Sequence, residues 1–223
     1  MDGLSQIETE LGKVFEWHLI AINNAIMPAK VNALWQDIAV RYNETQRAYH
    51  SLQHIQQLFS QFEQINHHLN EPHLIALALY YHDIIYDPRR SDNELKSAEY
   101  AIEALRCSLS EDQCQPIYAL IMMTATHQMD TLAHEDKISD AAYLLDMDLS
   151  ILGAPWSEYD QYAQAVRQEY VHVAKENYRV GRIAVLEKLL AHSSLYLTAY
   201  YHKRLEKQAR KNIKREISFL RAS

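Results

Sequence analysis

The chain has 223 residues, 48% of them hydrophobic, which is enough for a sizeable core and excludes an intrinsically disordered chain. With only four glycines and five prolines, few positions suit the tight turns of a β protein, so composition points to an all-α fold. The formal net charge of -7 excludes a chain-wide footprint for nucleic acid.

Apolar residues at helical spacing (Leu4, Ile7, Leu11, Val14, Phe15, Leu19, Ile22) predict a first helix over residues 4–23, closed by Pro28. Val31, Leu34, Trp35, Ile38 and Tyr42 make a second stripe, and a third helix is expected over residues 45–62. Asn70 and Pro72 read as a helix start, because Asn caps and Pro is tolerated in the first turn. Residues 74–86 then run almost without interruption through apolar positions. A helix apolar all round is one buried on all sides, so this is expected to be the most buried segment, ending at Asp87-Pro88. Another helix opens near Ser91-Asp92. The next is announced by a capping box, Ser110 with Gln113, and reaches His127. Residues 127–137 read as a polar loop, Ser139 as the cap of a segment reaching Leu152, and Ser157 as the start of a helix to about Lys175, with two more helices completing the chain.

The last of these holds a basic run: residues 203–221 carry eight Lys or Arg against two Glu. The first reading is a solvated helix face, the second a patch for a polyanion. Two cysteines, Cys107 and Cys114, indicate neither a disulfide framework nor a thiolate zinc site. Glu8, Glu10 and Glu16 and the lack of an apolar block argue against a signal peptide, and no stretch has the length a bilayer needs, so the cytoplasm is the expected location and no membrane partner is expected.

Ionisable residues stand where the pattern calls for apolar ones. His82-Asp83 interrupts the most apolar stretch, and a buried unpaired charge is expensive. If residues 45–62 form one helix, Arg47, His50 and His54 share a stripe at i, i+3 and i+7 bordering its apolar face. His127 ends an apolar-patterned helix, and Asp146 and Asp148 sit among Leu144, Leu145, Met147 and Leu149. A divalent transition-metal ion (Mn, Co, Ni, Fe or Zn) would resolve these burials together, since imidazole and carboxylate suit such ions.

The order His50 … His82-Asp83 … Asp148 resembles the H…HD…D signature of the HD superfamily of metal-dependent phosphohydrolases, and more narrowly a poorly characterised bacterial branch known as predicted HD-superfamily phosphohydrolases. The match extends through residues 47–55, 81–87, 92–98 and 145–153, then Gly181-Arg182, Glu206, Ala209-Arg210 and Asn212. The resemblance implies a single HD-type helical bundle over residues 1–223, with a metal-site core at about 35–155 and extra C-terminal helices at about 156–223. It implies His50, His82, Asp83 and Asp148 as metal ligands, with Asp148 preferred to Asp146, and His127 with His54 near a second metal or the substrate.

On that reading the chain is a hydrolase that cleaves a small phosphate ester, nucleotide-like ahead of sugar phosphates, through a metal-activated water. Asp87, one helical turn beyond Asp83, is the first candidate for general acid or base and Glu94 the second. Arg47, Lys96, His54 and His127 are candidates to contact substrate, with Arg167 or Arg182 joining from later helices. Nucleic acid is not expected as a partner, and the tyrosine-rich residues 196–201 could serve an interface between copies of the chain. The rival readings are an HD-fold diiron oxygenase and a non-catalytic nucleotide-sensing module.

Overall fold

The computed structural model describes the backbone of residues 3–127 and 135–222, and the side chains of residues 5–127 and 140–222. These residues form ten α-helices, two 3-10 turns and no strand: α1 (Gly3–Ile22), α2 (Pro28–Tyr42), α3 (Leu52–Ile65), α4 (Pro72–Tyr81), α5 (Asn93–Leu105), α6 (Glu111–Thr124), α7 (Glu135–Asp148), α8 (Trp156–Glu169), α9 (Lys175–Ala191) and α10 (Ala199–Ala222). The chain divides into two compact units, Met1–Leu144 and Leu145–Ser223. The division falls within α7.

In the first unit α4 is the buried axis, with α1, α3, α5 and α6 packed on it. Every residue from Leu74 to Tyr81 is at most 9% exposed, as an all-apolar helix requires. Each such Leu or Ile contributes on the order of 2 kcal/mol of burial. Tyr80 reaches through the core to donate its hydroxyl to the Leu11 carbonyl at 2.7 Å, with Phe15 edge-on against its ring. Pro72 stands in the first turn of α4 as expected, but Asn70 does not cap it. The Asp140 carboxylate of α7 accepts the backbone N–H groups of Asn70 and Glu71 at 2.9 and 2.8 Å instead.

Several boundaries differ from the sequence reading, each for a local reason. Pro28 opens α2 rather than closing a region, since its missing N–H costs nothing at a helix start. Helix α3 begins at Leu52, because Ser51 is extended (φ -120°, ψ -178°) and residues 44–47 close a separate turn. Helix α4 stops at Tyr81, so His82 and Asp83 lie in the turn beyond it and Asp87 is not one helical turn on. The Ser110–Gln113 capping box of α6 is present. Helix α7 starts at Glu135, before the expected Ser139 cap, whose side chain lies outside the described residues, as do residues 128–134 of the expected polar loop.

In the second unit α10 packs on α9 and on the 3-10 turn Leu149–Gly153. A Cβ on Gly153 would fall 2.5 Å from the Leu205 Cβ, so this close approach needs glycine. Asn212 secures the same turn by donating to the carbonyls of Leu152 and Ala154 at 2.9 and 2.8 Å. Glu216 accepts from Tyr159 and pairs with Arg182; Tyr159 and Glu216 are buried, and the Arg182 side chain is 9% exposed. Tyr196 and Tyr201 are each 1% exposed and sit with rings 6.2 Å apart, so these two tyrosines serve the core rather than an interface. The basic run is mostly a solvated face: Lys203, Lys207, Lys211 and Lys214 are exposed, while Arg210 pairs with Glu206 and Arg221 with Glu187. Among the described residues no helix is long and apolar enough to cross a membrane.

One buried pair in the first unit carries a pH dependence. His18 is 1% exposed, its Nδ1 lies 3.0 Å from Nδ1 of His73, and Phe62 packs edge-on against it. Burial, and secondarily His73, lower its pKa from 6.5 to about 4. The unfolded chain takes up this proton near pH 6.5 and the folded chain only near 4. The stability is therefore full above pH 6.5 and is lost as pH falls through that window, by on the order of 3 kcal/mol. Thermal unfolding between pH 7 and 4 should show a steeper loss for the native chain than for His18→Phe; equal slopes would exclude His18 as the source.

Candidate metal centre

The last carbonyls of a helix have no partner within it, and α4 ends inside the core. Arg47, 7% exposed, holds the turn just beyond that end: Nη1 donates to the Asp83 carbonyl at 2.7 Å and to the His50 carbonyl at 3.2 Å, and Nη2 to the Ile84 carbonyl at 2.9 Å. Its Nε donates to Glu44 at 3.1 Å, and its guanidinium lies over the Tyr42 ring. Expected as a phosphate contact, Arg47 is instead committed to backbone carbonyls. Ser97, fully buried on α5, completes the turn by donating to the Ile85 carbonyl and accepting from its N–H.

This arrangement brings His50, His54, His82 and Asp83 together, although Arg47 and His50 are not on α3 and share no helical stripe with His54. Nδ1 of His82 lies 2.9 Å from the Leu79 carbonyl. A carbonyl only accepts, so Nδ1 carries the proton, and in a neutral ring Nε2 presents its lone pair. That Nε2 is 3.0 Å from Oδ2 of Asp83 and 3.4 Å from Nε2 of His54. Asp83 Oδ2 is in turn 4.0 Å from Nε2 of both His54 and His50. A lone pair facing a carboxylate oxygen at 3.0 Å is repulsive unless a cation, either a proton or a metal ion, sits with them. The donor set suits a first-row divalent ion. The side chains of His54 and His82 are 2% exposed, and those of His50 and Asp83 20% and 15%, so the cluster is open on one side. Tyr86 stacks on His50 at 4.0 Å and Tyr49 lies 4.8 Å from the His54 ring, orienting both imidazoles.

Asp87 is tied into its own loop: Oδ1 accepts the Arg89 N–H at 2.9 Å, and its backbone pairs with the Asn93 side chain. Glu94 stands in the first turn of α5, half-buried and unpaired among the described residues. Lys96 is exposed and pairs with Glu99 at 2.7 Å. His127 follows α6 with φ 51°, an uncommon backbone state for a side chain with a Cβ. In the second unit, Arg167 donates to the Tyr170 and Val173 carbonyls and Arg182 to Glu216.

Asp146 and Asp148 end α7 in the second unit. Asp146 is 1% exposed and accepts from the Leu197 N–H, the Thr198 N–H and the Thr198 hydroxyl at 2.7, 2.8 and 2.6 Å. Burial pushes its carboxyl up, and the Thr198 hydroxyl and the two amides pull it down. Asp148 is half-buried. Sequence reading missed the anchoring roles of Arg47, Ser97, Asp140 and Asp146; an ionisable residue amid apolar ones signals burial but not its eventual partner.

No family model matches the sequence, and no curated protein does. Among solved structures, the chain is similar to the phosphodiesterase domain of the RhoPDE fusion protein from the choanoflagellate Salpingoeca rosetta, with a TM-score of 0.61 and 16% identity over 100% of this chain and 91% of that one. A second structure, of the phosphodiesterase domain of Salpingoeca rosetta rhodopsin phosphodiesterase, gives 0.59 and 16% over 100% and 88%. The likeness establishes the fold: the chain is folded like these phosphodiesterase domains.

Removing Arg47 should cost more than an ordinary surface charge. Arg47→Met leaves three carbonyls without their donor and should lower stability by on the order of 3 kcal/mol in denaturant unfolding. A change below about 0.5 kcal/mol would show that the turn holds itself. Asp146→Ala, which orphans two amides, should likewise lower the unfolding midpoint.

Proposed function

We propose that this chain is a metal-dependent phosphohydrolase of the HD type, acting on a small phosphate ester, with nucleotides ahead of sugar phosphates. The observation that carries the reading is the approach of His54, His82 and Asp83 within 4.0 Å of one another, with His50 4.0 Å from Asp83. His50, His82, Asp83 and Asp148 are the proposed ligands. His54 joins them, because its Nε2 faces the same atoms as theirs. Bound there, a divalent ion supplies Lewis acidity and a water of lowered pKa.

The chain's own groups have separable tasks. The Leu79 carbonyl holds His82 in the tautomer that leaves Nε2 free. Arg47 positions the turn bearing Asp83. Glu94 becomes the first choice to move a proton to or from the ester oxygen, since its carboxylate is unpaired among the described residues while Asp87 already accepts from Arg89. Lys96 can turn from Glu99 to a phosphate at little cost, because an exposed ion pair contributes little.

Elemental analysis of the purified protein should find about one transition-metal ion or more per chain, lost in His82→Ala and Asp83→Ala. Asp148→Ala should lower metal affinity by 10-fold or more, in the usual range for a lost ligand or its support. A protein that carries no metal and takes up none of Mn, Co, Ni, Fe or Zn would defeat the proposal. Glu94→Gln should keep its metal and lower kcat by roughly 100-fold on a phosphate-ester panel; an unchanged kcat returns the role to Asp87. Oxygen consumption by the iron-loaded protein without phosphate release would favour an oxygenase, and nucleotide binding without turnover a sensing module.

A further inference from the structure

The second unit holds a cavity of about 320 Å³ lined by α8, α9 and the end of α10, within the range of small-ligand sites. All of its lining residues belong to that unit. Trp156 and Phe219 give it an aromatic wall, with ring centroids 5.8 Å apart and Phe219 53% exposed.

The polar lining is predominantly cationic. Lys175 has no ion pair or hydrogen bond among the described residues. Arg167 is fixed by the carbonyls of Tyr170 and Val173 and lies 4.5 Å over the Tyr178 ring, so its charge is placed and not offset by an acid. Of the two acids in the lining, Glu216 is neutralised by Arg182 at 2.8 Å, while Asp160 accepts from Gln164 at 2.7 Å. The Tyr178 hydroxyl is buried and has no hydrogen-bond partner among the described residues. Burial pushes its pKa up to about 12, so at neutral pH it remains a donor.

An aromatic wall, two cations free of acidic partners and an idle donor converge on one ligand class. We propose that this cavity binds a small anion bearing a flat aromatic ring, the class to which nucleoside monophosphates belong. The ring packs on Trp156 and Phe219, and the anionic group meets Lys175 and Arg167, with the Tyr178 hydroxyl as donor. This site is independent of the His–Asp cluster and does not rest on the hydrolase reading.

Titration calorimetry on the full chain tests it, with adenosine monophosphate and 1-naphthyl phosphate as probes. Running it in His82→Ala, and in the unmutated chain with EDTA, removes metal-dependent binding in the first unit. At least one probe should bind with Kd below about 1 mM. Lys175→Ala and Trp156→Leu should each weaken it 10-fold or more, Trp156→Phe should retain it, and adenosine or inorganic phosphate alone should bind far more weakly. Absence of binding by both probes, or an affinity unchanged by either weakening variant, would overturn the proposal. Lys175 is exposed, so loss of binding in Lys175→Ala with an unaltered dichroism spectrum cannot come from unfolding.

Discussion

The guanidinium of Arg47 sets where the most apolar helix of the chain ends and how the backbone turns beyond it. Helix α4 could continue by its composition, yet the carbonyls of Asp83 and Ile84 point to Arg47 rather than to later amides. The same group binds the His50 carbonyl, so one cation ties the segment before α3 to the turn after α4. Without that tie two stretches far apart in sequence would have no reason to present His50 and Asp83 at 4.0 Å. The cation is buried, which is tolerable because all its donating atoms are engaged and Glu44 supplies the opposite charge.

Buried acids elsewhere do related work and show how chemistry and architecture can look alike. Asp140 receives the amides at the start of α4, Asp146 those of Leu197 and Thr198, and Glu206 those of Leu195 and Tyr196. Each replaces an intrahelical partner that a loop or helix start lacks. Asp83 differs in the neighbours of its side chain. Its carboxylate faces imidazoles, whose Nε2 atoms are able to bind a metal.

Particular residues show how far local pattern reaches. The apolar run of α4 and the stripe Val31, Leu34, Trp35, Ile38 and Tyr42 were legible, because burial writes itself into periodicity, and all are buried. The Ser110–Gln113 box was legible because both partners lie within one turn. The starts of α3 and α7 and the end of α4 were not, since no pattern within a few residues announces them. The candidate site was legible as residue types: His50, His54, His82 and Asp83 do meet. The helical stripe and the helical turn invoked to join Arg47 to His54 and Asp83 to Asp87 do not exist.

The amino-acid sequence by itself therefore determined the all-helical class, the identity of the buried axis and the His and Asp residues that are candidates for a site. Periodicity and short-range caps are properties of neighbouring residues, and they survive without knowledge of the rest of the chain. Only the tertiary structure decided that α4 stops at Tyr81, that Arg47 serves backbone carbonyls and that Asp146 is occupied by the amides of Leu197 and Thr198. The physical reason is that a charged side chain takes whichever partner the fold delivers, and here those partners come from 36 to 52 positions away.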